Sequence, residues 1–137
     1  GGARTREAAT QMLVGGETVV IMPEGLTNFS PEVAEFKPGT VKIAREAARR
    51  LGKPVHIVPA YIRYGKYPGG WLATLDRAIQ YFVVFLLFPL YRRQARVVVG
   101  KAVSTDDLVD AQGRPLSDED ASELLRQRVI ALDPGKV

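Results

Sequence analysis

One histidine, His56, and no cysteine stand among the 137 residues. A cysteine nucleophile, a disulfide scaffold, thiolate metal sites and any scheme that needs two histidines are therefore excluded from this chain. His56 lies in Val55-His56-Ile57-Val58 with no acidic neighbour, and position 61, where a His-x4-Asp pair would put its aspartate, is Tyr61. It reads as a structural histidine, buried or edge-facing, rather than a general base. No serine sits in Gly-x-Ser-x-Gly, and neither Gly-x-x-x-x-Gly-Lys-[Ser/Thr] nor Gly-x-Gly-x-x-Gly occurs. Hydrolase, P-loop and dinucleotide readings lose their sequence support, and neither a metal nor a cofactor is expected.

Two short blocks keep chemical interest. In Pro23-Glu24-Gly25-Leu26-Thr27, Glu24 could accept hydrogen bonds from a hydroxyl or orient a backbone, and Gly25 permits close approach of a ligand. The alternative is a glutamate that ties down its own loop. Phe36-Lys37-Pro38-Gly39 runs into a helix start, where free N–H groups and Lys37 could hold an anion. There the alternative is an ordinary turn with a solvated lysine. The stripe Lys42, Arg45, Arg49 and Arg50 could meet phosphate or an anionic membrane, although such stripes are usually solvated faces.

The elements that must position these blocks follow from periodicity. Residues 3–14 read as an amphipathic helix stopped by Gly15-Gly16. Residues 18–22, Thr-Val-Val-Ile-Met, read as a strand buried on both faces and ending at Pro23-Glu24-Gly25. Leu26 to Phe36 reads as a loop, 39–51 as a second helix closed by Gly52, and 55–62 as another two-face-buried strand. Strand, helix, strand with short connections is a βαβ unit, hence parallel strands. In such sheets ligands gather at the carboxyl ends of the strands, which is where Glu24 falls. Tyr64–Gly70 reads as a flexible loop. Residues 78–91 are fourteen without a charge, short of the roughly 20 that span a bilayer, and so form a buried or an interfacial helix. Trp71, Tyr81, Phe82, Phe85, Phe88 and Tyr91, with Arg92-Arg93 behind, suit an interfacial segment or an acyl-chain groove. Arg96–Gly100 reads as a third strand, Ser104–Asp107 as a helix start or turn, and 117–132 as a closing amphipathic helix capped by Ser117.

Composition agrees with one domain. Hydrophobic residues make up 46% and charged residues 25%, and 19 Lys+Arg against 15 Asp+Glu leave a net charge of +4. The bias suits anionic lipid, phosphate or CoA and is too weak to argue for nucleic acid. The first apolar stretch comes too late and is too polar for a signal peptide.

Read in order, VVIMPEGLTNFSPEVAEFKPGTVKIA followed by KPVHIVPAYI resembles the second half of a PlsC-like glycerolipid acyltransferase domain, that of 1-acylglycerol-3-phosphate and other lysophospholipid acyltransferases. Pro23-Glu24-Gly25 resembles the family's Phe-Pro-Glu-Gly block, Phe36-Lys37-Pro38-Gly39 its Phe-Lys-x-Gly block and Val58-Pro59 its Ile-Val-Pro block; Arg96–Lys101 is similar to its closing strand. The likeness extends over roughly residues 5–105.

The resemblance implies the carboxyl-terminal portion of a glycerol-3-phosphate acyltransferase-like α/β domain, with a partly parallel sheet and flanking helices, occupying 1–137 as a single, N-terminally truncated unit. It implies transfer of a fatty acyl group from acyl-CoA or acyl-carrier protein to the hydroxyl of a lysophospholipid-type acceptor, at the cytoplasmic face of a membrane, by a peripheral or monotopic protein. Glu24, Gly25, Thr27, Lys37 and Gly39 become the acceptor or phosphate residues. The family's base, in a His-x4-Asp block, is missing, so no catalytic residue is assigned and the isolated chain is expected to be inactive. Many members continue Glu-Gly-Thr-Arg, and Thr27 stands where that arginine grips phosphate. Two other readings are a non-catalytic lipid- or membrane-binding module of the same fold and a soluble phospho-ligand α/β domain.

Overall fold

The computed structural model describes residues 2–25, 32–64, 75–87 and 95–133. Helix α1 (Gly2–Val14) and helix α2 (Gly39–Leu51) pack along one another. Each ends on a glycine that tolerates a left-handed backbone, Gly16 at φ 87° and Gly52 at φ 64°. Arg50 joins the two helices by donating to both carboxylate oxygens of Glu7, at 2.7 and 2.8 Å. It also reaches Glu46 within α2 at 2.7 Å, and Arg49 donates to the same carboxylate. The basic stripe is thus largely occupied by internal pairs.

Two antiparallel ladders follow. Strand β1 (His56–Ile57) pairs with β4 (Val103–Ser104), and β2 (Ala60–Tyr64) pairs with β3 (Ala95–Val99), placing Ala60 opposite Val99 and Ile62 opposite Val97. Helix α3 (Arg77–Leu87) lies between β2 and β3 in the chain. A 3-10 turn (Thr105–Asp107), capped by the Ser104 hydroxyl, leads to helix α4 (Asp118–Ile130). Ser117 accepts from the Asp120 amide at 3.0 Å, the capping expected from the sequence. The core joins α2, β4, the 3-10 turn and α4: Val41, Val103, Leu108, Ala121 and Leu125 are buried together, with Phe36, Ile57, Leu116 and Leu124 against them. Across this core Arg45 donates to Asp118 at 2.5 Å and to the Leu116 carbonyl at 2.8 Å, fastening α2 to the start of α4.

Three expectations are corrected here. Residues 18–22 form no ladder: Thr18 to Ile21 make no backbone hydrogen bond among the described residues, and Val20 is 82% and Met22 66% exposed. A strand exists only with a hydrogen-bonded partner, and residues 18–22 have none among the described residues; the two sheets described are both antiparallel. The 55–62 run is divided in two because Pro59 has no N–H to give a ladder. Its carbonyl instead accepts from Gly100 at 2.8 Å, and Val55 accepts from Thr105 at 2.9 Å. Finally, that run is not buried on both faces, since His56 and Val58 are exposed.

Candidate functional site

The two blocks singled out in the sequence meet in space. Pro23 and Glu24 turn the chain, with the Gly25 amide donating to the Met22 carbonyl at 3.1 Å. Gly25 takes φ 72°, a conformation that disfavours any residue with a Cβ. The returning segment docks on this turn: the Lys37 amide donates to the Pro23 carbonyl at 2.9 Å. The Lys37 side chain lies over Gly25, so that a Cβ there would fall 3.1 Å from Nζ and 3.2 Å from Cδ and Cε. Phe36, packed against the core, fixes the neighbouring backbone and leaves Lys37 exposed. Lys37 makes no ion pair among the described residues.

Gly39, two positions after this lysine, is the first residue of α2. Pro38 caps the helix without a side-chain hydrogen bond, and the first intrahelical bond runs from the Lys42 amide to the Pro38 carbonyl at 3.0 Å. The amides of Gly39, Thr40 and Val41 have no acceptor among the described residues, as the start of an uncapped helix dictates. Thr40 adds a buried hydroxyl oxygen with no hydrogen-bond partner. An unpaired lysine beside open amides at the positive end of a helix is an arrangement that attracts an anion.

Glu24 does what its alternative reading described: its Oε2 accepts from the Ala34 amide at 3.2 Å and so holds the loop. Its other oxygen accepts nothing among the described residues. Thr27 lies outside the described residues, as do Trp71, Phe88 and Tyr91. His56, in β1 opposite Ser104, has no acidic partner among the described residues.

Sequence reading missed Arg126 of α4. Its guanidinium donates to the Val33 carbonyl from Nη2 at 2.8 Å and to the Ala34 carbonyl from Nε at 3.0 Å. Arg126 and Glu24 therefore grip Ala34 from opposite polarity, one holding its carbonyl and the other its amide, and Arg126 holds the Val33 carbonyl as well. No local pattern could announce this, because Arg126 and Val33 are 93 positions apart. Among the described residues no cluster of three or more His, Cys, Asp or Glu could hold a metal ion, and no helix is long and apolar enough to cross a membrane.

Residues 1–63 match the family model described as Acyltransferase. The match spans α1, the Pro23–Gly25 turn, the Lys37 block and α2, a little under half of the chain, and makes that segment similar to the acyltransferases, a family of transferases. No curated protein and no solved structure matches the chain.

Proposed function

We propose that this chain supplies the acceptor side of an O-acyltransferase of phospholipid biosynthesis, moving a fatty acyl group from acyl-CoA or acyl-carrier protein to the hydroxyl of a lysophospholipid-type acceptor. The observation that carries the reading is the convergence of the Gly25 turn and Lys37 at the open start of α2. An acceptor phosphate would sit on the amides of Gly39 and Thr40 with Lys37 beside it, which answers the absence of arginine at position 27. The acceptor hydroxyl attacks the thioester carbonyl, the carbon–sulfur bond breaks, and the thiol leaves with the proton removed from the hydroxyl. The reading assigns the relay of this proton to no residue of this chain and takes the base to lie outside it. The reading treats 18–22 as one strand of a larger, partly parallel α/β sheet, consistent with the exposure of Val20 and Met22. It places the protein at the cytoplasmic face of a membrane, peripheral or monotopic.

Two measurements test this. Glycerol 3-phosphate titrated into the 137-residue chain is expected to shift the amide resonances of Gly39 and Thr40, and Lys37→Gln is expected to weaken binding by about tenfold or less, the scale of one exposed charge contact. Unmoved resonances there reject the acceptor site. Acyl transfer by the isolated chain is expected to be absent, and its detection rejects the external base.

A second reading, a non-catalytic membrane-binding module of the same fold, is favoured by the exposed apolar residues of α3. No transfer by the unsubstituted parent protein selects it, and transfer that falls in a Glu24→Ala variant rejects it.

A further inference from the structure

Helix α3 presents an apolar face to solvent. Ile79, Tyr81, Phe82, Phe85 and Leu86 are all exposed, Phe85 by 81% and Phe82 by 66%. At roughly 100° per residue they fall in one arc of about 160°, running from Tyr81 through Phe85, Phe82 and Leu86 to Ile79. Only Ala78 shares that arc, so it holds no charged residue and the Tyr81 hydroxyl is its one polar group. Helix α3 has no extended contact with any other described element. Three aromatics and two large aliphatics gathered on one face differ from the scattered single apolar residues of an ordinary surface.

Length and charge select the occupant. Eleven residues extend about 16 Å, half the roughly 30 Å hydrocarbon core, so α3 is too short to cross a bilayer. From Arg77 to Thr105 the sequence contains no Asp or Glu and carries Arg77, Arg92, Arg93, Arg96 and Lys101. Asp76 caps the start of α3 by accepting from the Ala78 amide at 2.9 Å, and beyond it every charge up to Thr105 is positive, which complements a surface that is greasy below and negative above. A second copy of the same face would bring like charges together.

We propose that α3 lies in the plane of an anionic lipid bilayer, with Phe82 and Phe85 at the acyl boundary and Arg77, at its start, on lipid phosphate. The proposal rests on the membrane-surface part of the proposed function and not on acyl transfer.

Flotation of the 137-residue chain with vesicles of phosphatidylcholine, alone or mixed with phosphatidylglycerol, tests it. The chain is expected to float with the mixed vesicles and to release as salt rises. Phe82→Asp with Phe85→Asp is expected to reduce partitioning at least about tenfold, while Val20→Asp with Met22→Asp, exposed apolar residues elsewhere, leaves it near the unsubstituted level. Far-UV circular dichroism confirms that each variant is folded. A reporter variant, Trp71→Phe with Phe85→Trp, is expected to be quenched by brominated acyl chains and shielded from iodide, a readout that needs no destabilising charge. Equal loss in the two aspartate pairs, or an iodide-accessible reporter on vesicles, overturns the assignment of α3 while leaving membrane binding intact. Failure of the unsubstituted chain to float with either vesicle overturns the membrane-surface reading as well. A concentration-dependent dimer abolished by Phe85→Asp, with no flotation, assigns the face to a second copy and overturns the proposal.

Discussion

Replacing Arg126 by alanine removes the link between α4 and the candidate site. Its two best contacts, to the carbonyls of Val33 at 2.8 Å and Ala34 at 3.0 Å, come from a charged donor whose side chain is 26% exposed. Hydrogen bonds to charged groups contribute about 1.5–3 kcal/mol each when well shielded. Here water can replace the guanidinium at both carbonyls, so the pair together is expected to be worth about 2 kcal/mol. For a domain of this length that is a fall in Tm of roughly 7 °C. The assay is urea unfolding of Arg126→Ala, with amide hydrogen exchange at Ala34, whose N–H is held by Glu24. Exchange at Ala34 is expected to accelerate beyond the global change, because the segment loses one of its two grips. The neighbouring contact from Arg126 to Glu123 at 3.1 Å is an exposed pair on the helix surface, and Glu123→Gln is expected to cost under about 0.5 kcal/mol. If Glu123→Gln were as costly as Arg126→Ala, or if Ala34 exchange were unchanged in Arg126→Ala, the loop-holding role would be refuted.

Other perturbations probe the rest of the framework. Leu108, 1% exposed in the core, truncated to alanine is expected to lose about 2–5 kcal/mol, measured by the urea midpoint; a loss below 1 kcal/mol would contradict its burial. Gly25→Ala, at φ 72°, is expected to cost about 1–2 kcal/mol for the left-handed backbone, and nearly as much in a Lys37→Ala background, because a lysine tip yields easily; a penalty that vanishes in that background would assign the cost to the lysine contact instead. Hydrogen bonds from Arg49 and Arg50 hold the Glu46 carboxyl at about 2. Because that folded value lies below the unfolded one, its stabilisation is present above roughly pH 4.5 and lost as the pH falls toward 2. Glu46→Gln is expected to flatten the acid limb of urea midpoint against pH, and an unchanged slope would deny the pairing.

What was legible in the sequence was what neighbours in the chain decide. The helix read at 39–51 is found with those bounds, because its apolar period, its Pro38-Gly39 entry and its Gly52 stop act within one or two turns. Ser117 announced α4 for the same reason, its hydroxyl capping the helix one turn on. Glu24, Gly25 and Lys37 were legible as blocks, and Gly25 and Lys37 do meet. Pairing was not legible: Val-rich runs at 18–22 and 55–62 look alike, yet among the described residues only the second finds partners, β4 and β3, which lie far along the chain. The guanidinium contacts of Arg45 and Arg126 were invisible on the same ground, spanning 73 and 93 positions.

Those long spans bear on the order in which the molecule assembles. Closing a loop of such length is costly in chain entropy before any contact forms to offset it. The Gly25–Lys37 turn can close as soon as its own segment exists, but the hold on Val33 and Ala34 must wait for α4. During synthesis the candidate site is therefore shaped early and stiffened late, and Arg126→Ala is expected to hasten unfolding while leaving the refolding rate nearly unchanged, as stopped-flow kinetics would record. A site fastened from α4, 93 positions beyond Val33, stays pliable until that helix has been made.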